Sequence, residues 1–75
     1  MEELLKYILQ NLVSKPEKIS ISKKEEGADI TFIIQVDDED KGKIIGKGGR
    51  NIKAIRDILV VLAKRSQQKV FLKIE

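Results

Sequence analysis

This 75-residue chain contains no cysteine, histidine or tryptophan, one proline, and only three aromatic residues, Tyr7, Phe32 and Phe71. Without cysteine there is no disulfide, no thiolate nucleophile and no cysteine metal site. Without histidine the commonest general base and the commonest zinc ligand are also missing. A domain this small has little volume for a closed, dry reaction pocket, so the chain reads as a non-enzyme that needs no cofactor and holds no metal. The longest apolar run, Ile58 to Ala63, is far below membrane-spanning length. The N-terminus opens on Glu2 and Glu3 instead of a basic region leading into an apolar stretch. The expectation is a cytoplasmic protein with no membrane partner, folded as one domain over residues 1–75.

Charge is abundant and unevenly placed. Residues 1–40 hold ten acidic and five basic side chains, residues 41–56 six basic and no acidic ones, and residues 57–75 four basic and two acidic. The net charge of +3 understates the local field around Lys41, Lys43, Lys47, Arg50, Lys53 and Arg56, a concentration suited to a polyanion bound at one place.

Hydrophobic spacing divides the chain into six elements. Leu4, Leu5, Ile8, Leu9 and Leu12 fall on one side of a helix over Glu3–Val13, which Pro16 keeps from continuing. Alternation predicts a strand over Lys18–Lys24, a turn at Glu25, Glu26 and Gly27, and a second strand over Ala28–Val36 that pairs with the first as an antiparallel hairpin. Asp37 to Asp40 supply a cap and a favourably charged first turn for a short helix from about Asp38 to Ile45. A cation site in that acidic run is the weaker reading, because the run lacks the ligand spacing and central glycine of a calcium loop. Gly46, Gly48 and Gly49 break that helix. Arg50–Arg65 then carries Ile52, Ile55, Leu59 and Leu62 on one helical stripe, and a strand over Lys69–Ile74 follows the turn Ser66-Gln67-Gln68. The resulting order, α-β-β-α-α-β, predicts an α+β fold. Its three-stranded mixed sheet has the last two strands parallel across a helical crossover and the helices packed on one face.

The segment Lys43-Ile44-Ile45-Gly46-Lys47-Gly48-Gly49-Arg50-Asn51-Ile52 joins two helices at a tight turn. Glycines permit positive φ and close approach of another backbone, and the following helix begins with unpaired amides beside cationic side chains. Lys47 can reach an anion on a flexible stem, and Arg50 offers a planar donor array. The nucleotide motifs do not fit. Gly42 and Gly46 are separated by three residues where a P-loop needs four, and Asn51 stands where a dinucleotide fingerprint needs glycine.

The run Ile44-Ile45-Gly46-Lys47-Gly48-Gly49-Arg50-Asn51-Ile52 resembles the core of a KH RNA-binding domain, with Gly46 to Gly49 as its GxxG loop. The element order resembles the type II arrangement, as in small bacterial proteins made of a single such domain. The resemblance implies that Gly46, Lys47, Gly48, Gly49 and Arg50 contact the backbone of about four single-stranded nucleotides. Ile44, Ile45 and Ile52 would form the adjacent aliphatic groove or its supporting framework, and Lys43, Lys53 and Arg56 would add a broader field. With so few aromatics, the bases would be held by shape, aliphatic contact and edge hydrogen bonds. Single-stranded DNA is the nearest alternative ligand. A different class of reading is a dimerising interaction subunit, as a homodimer or paired with another RNA-binding protein, for which Val60, Val61, Ile33 and Phe71 are the candidate apolar surface.

Overall fold

The structure, a computed structural model, describes residues 1–75. Helix α1 spans Glu2–Gln10, strand β1 Ser20–Glu26, strand β2 Asp29–Gln35, helix α2 Lys41–Ile45, helix α3 Arg50–Arg65 and strand β3 Lys69–Ile74. Short 3-10 turns occupy Pro16–Lys18, Asp38–Asp40 and Lys47–Gly49. The sheet order is β1-β2-β3, with β1 antiparallel and β3 parallel to the central β2. This is the α+β, mixed-sheet arrangement of the type II KH-like fold.

The core forms because every element has an apolar stripe turned to the same side of the sheet. Leu5 and Leu9 of α1, Ile30, Phe32 and Ile34 of β2, Ile44 of α2, Ile55, Leu59 and Ala63 of α3, and Val70 of β3 make one buried cluster. Each of the larger side chains contributes about 1.5–3 kcal/mol by leaving water. On β2 the alternation is complete, so Thr31 and Ile33 face away from the helices and remain half-buried on the open side of the sheet.

Two boundaries differ from the sequence expectation. Helix α1 ends at Gln10, not Val13, and Leu12 and Val13 pack on the core from a turn instead of from a helix. Strand β1 starts two residues late, because Pro16–Lys18 is a 3-10 turn, and runs through Glu25 and Glu26, which pair with Ile30 and Asp29. The acidic pair expected to turn is held in the strand by ladder bonds and by ion pairs two residues apart, Lys23–Glu25 at 2.7 Å and Lys24–Glu26 at 3.2 Å. The reversal is left to Gly27, whose φ is +58°.

Candidate nucleic-acid interface

Helices α2 and α3 do not run on as one helix. The Gly46 amide donates to the Gly42 carbonyl at 2.8 Å and ends α2, and Gly46 then swings to φ +76°, ψ 171°. Gly48 and Gly49 follow at φ +65° and +80°, so three of the loop's four residues lie where L side chains are disfavoured. Lys47 and Gly48 stand exposed at the tip. A Cβ at Gly48 or Gly49 would meet nothing within 4 Å, whereas one at Gly46 would lie 2.7 Å from Cγ and 2.9 Å from the backbone nitrogen of Asn51. The loop is therefore closed at its base and open at its tip.

Asn51 sets the base. Its Nδ2 donates to the Lys43 carbonyl at 2.7 Å and satisfies one of the C-terminal carbonyls of α2 from the first turn of α3. No side chain caps α3, and its first turn carries no acidic residue. Its leading amides face outward beside Lys47 and Arg50, which is the electrostatic setting that favours a phosphate.

A family model described as KhpA/KhpB, KH domain, matches residues 2–74. The RNA-binding protein KhpA of Chlamydia trachomatis is 47% identical over 74 residues, covering 99% of this chain and 95% of that protein. Proteins of the same name from Listeria monocytogenes and Oceanobacillus iheyensis are 38% and 36% identical, each over 99% of this chain and over 97% and 99% of their own. The chain belongs to the KhpA/KhpB KH-domain family.

In this KH domain the aliphatic residues around the loop divide cleanly. Ile44 is fully buried in the core, Ile52 is half-buried against it, and Ile45 is exposed beside the loop. Among the basic residues, Lys47, Arg50, Lys53 and Arg56 make no ion pair with any carboxylate, and Lys41 pairs with Asp38 at 3.1 Å. Lys43 turns inward, bonding to the Ser14 hydroxyl and lying 3.5 Å from Asp40, so its charge is shared with a buried acid instead of facing the loop. On the outward side of α3, Ile58 and Val61 stand exposed together with Ala54, which extends the apolar arc beyond what the core uses.

The acidic run does two jobs. The Asp37 side chain accepts the Glu39 amide at 3.0 Å and starts the 3-10 turn, as capping predicts. Asp40 is 1% exposed, and its two carboxylate oxygens accept the amides of Ser14 and Lys15, each at 3.0 Å. It pins the segment after α1 to the start of α2, the helix that carries the loop. Nothing in the sequence separates Asp40 from its three acidic neighbours, because its partners lie 25 and 26 residues away.

The Ser14 amide, above all, holds the Asp40 carboxyl below the usual carboxylate range; burial opposes this, and the Lys15 amide and Lys43 reinforce it. A folded value below the unfolded one, about 3.9, means stabilisation that is present above that pH and lost as pH falls through the folded value. Asp40→Asn turns one acceptor into a donor that faces an amide N–H. Its melting temperature at neutral pH drops by about 10 °C. Melts followed by circular dichroism across a pH series then show the gap between variant and parent closing as pH falls below about 4. Acid limbs that stay parallel exclude this role for Asp40.

Proposed function

We propose that this domain binds single-stranded RNA without catalysis, in the cytoplasm, with Gly46 to Gly49 and Arg50 holding the phosphate backbone. The observation that carries the reading is the uncapped start of α3 at a positive-φ glycine loop, flanked by the unpaired cations Lys47 and Arg50. Phosphate oxygens would accept the leading amides of α3, and Lys47, at the exposed tip, would close over the strand. Lys53 and Arg56, one and two turns along α3, extend the field, and Ile45 and Ile52 offer apolar contact beside the clamp. Relatives over the full chain that carry the name RNA-binding protein support the same ligand.

Titration of matched RNA and DNA octamers at 50 and 200 mM salt tests the reading. A single-strand clamp with three or four phosphate contacts loses about 20- to 50-fold in affinity over that range. RNA binds more tightly than DNA if the groove uses the 2′-hydroxyl, and equal affinities move the reading to single strands of either kind. Binding of neither oligomer removes it. The same samples in a light-scattering cell test a second reading carried by exposed Ile58 and Val61, pairing with a second copy through α3. A mass of one chain at every concentration removes that one.

A further inference from the structure

An open depression of about 460 Å³ lies between the last turns of α3 and the start of β3, lined by Val60, Lys64, Gln67, Lys69 and Phe71 among others. No acidic residue lines it. Phe71 is 49% exposed in the middle of an edge strand, with one side of its surroundings in this depression and the other on the open sheet face. A lone exposed aromatic needs no explanation. Phe71 differs because it sits in a concavity with an apolar wall, Val60, and cationic rims, Lys64 and Lys69. The sheet-face side of the ring is lined by Glu26 and Asp29 as well as lysines, so an anionic strand is drawn to the α3 side.

Helical geometry links this depression to the glycine loop. At 100° per residue, Lys53, Val60 and Lys64 fall within about 20° of one another on one flank of α3, with Lys64 about 17 Å beyond Lys53. Arg56 borders the same flank, and Asp57 is its single carboxylate. At the far end, α3 closes with the Gln67 amide donating to the Lys64 carbonyl and the Gln68 amide to the Ala63 carbonyl. Such a termination places its next residue in the left-handed region, where glycine costs least. Here Gln67 takes that position at φ +55°. An amide side chain is thus kept at the rim of the depression at a conformational cost.

We propose that Phe71 is a base-stacking platform for single-stranded nucleic acid that leaves the glycine loop along the Lys53–Lys64 flank. Lys64 and Lys69 would meet the phosphates on either side of the stacked base, and Gln67 its edge. This rests on the RNA reading above and adds to it an aromatic contact that the glycine-loop resemblance does not imply.

The test compares a tetramer, long enough for the loop alone, with an octamer that reaches β3. Phe71→Ala weakens the octamer by about tenfold and leaves the tetramer unchanged, since stacking is lost only where the strand arrives. Phe71→Leu does not restore the loss. Phe71→Trp does, and its indole, the only one in the chain, is quenched by the octamer and not by the tetramer. Octamer affinity that is unchanged in Phe71→Ala, or equal losses for both lengths, overturns the platform while the loop reading stands. A parent chain that binds neither oligomer overturns both. A Phe71→Ala variant that alters only the mass seen by light scattering assigns the ring to a protein contact instead.

Discussion

Replacing Lys47 and Gly48 together by aspartate lowers affinity for a single-stranded RNA octamer by about a hundredfold and leaves the melting temperature within a few degrees of the parent's. The size of the effect follows from charge. One cation at the loop tip becomes an anion and a second anion joins it, a change of three unit charges next to the phosphates. At about 4 Å in water each unit is worth about 1 kcal/mol, so the sum of about 3 kcal/mol corresponds to about two decades. Retention of the fold follows from the loop's geometry. Both residues are exposed, a Cβ at Gly48 has open space around it, and Gly48 sits at φ 65°, ψ 20°, a left-handed conformation that aspartate tolerates better than most residues. Loss of a phosphate contact also flattens the salt dependence, by about 0.7 in the slope of log affinity against log salt. Unchanged affinity at matched salt, in a variant with the parent's circular dichroism spectrum, removes the loop from the binding mechanism.

The same loop marks how far residue spacing can be read. Helix α3 and strand β3 stand at the boundaries that periodicity predicts, Arg50–Arg65 and Lys69–Ile74. Their apolar stripes are long and their ends coincide with glycine or polar turns. The start of the chain is less legible because Leu12 and Val13 keep helical spacing after the helix has ended; spacing reports which residues are buried, not the backbone that buries them. Glu25 and Glu26 have the composition of a turn, and the sheet overrides it by pairing them with β2. The glycine loop and its cations are visible as a motif. Asp40 and Asn51, which hold the loop's supports together, are not, because each acts through a single tertiary contact with no periodic signature. Lys43 shows the converse case. Its sequence neighbours place it in the basic run, and a buried acid three residues earlier turns it inward.

Gly46→Ala is expected to be the most damaging single change in the loop, lowering the melting temperature by about 15 °C where Gly48→Ala lowers it by about 5 °C. Both positions have positive φ, so conformation alone does not separate them. Two further facts do. With ψ near 171°, Gly46 lies in a region that is almost exclusively glycine's, at a cost of about 1–3 kcal/mol for another residue, whereas the left-handed conformation of Gly48 costs about 1–2 kcal/mol. The new methyl at position 46 would also lie 2.7 Å from Cγ of Asn51, and at position 48 it meets open space. A total of about 3 kcal/mol against about 1 kcal/mol, at about 5 °C per kcal/mol for a domain of this length, gives the predicted contrast. Trimming Asn51 does not rescue Gly46→Ala. The Asn51 backbone nitrogen is itself only 2.9 Å from the added carbon, and removing the side chain also frees the Lys43 carbonyl it satisfies. Thermal melts of the two alanine variants and of Gly46→Ala/Asn51→Ala decide the point. If Gly46→Ala and Gly48→Ala melt together, the base of the loop is looser than this geometry requires, and the rigid presentation of the α3 amides, on which phosphate binding depends, is lost as an explanation.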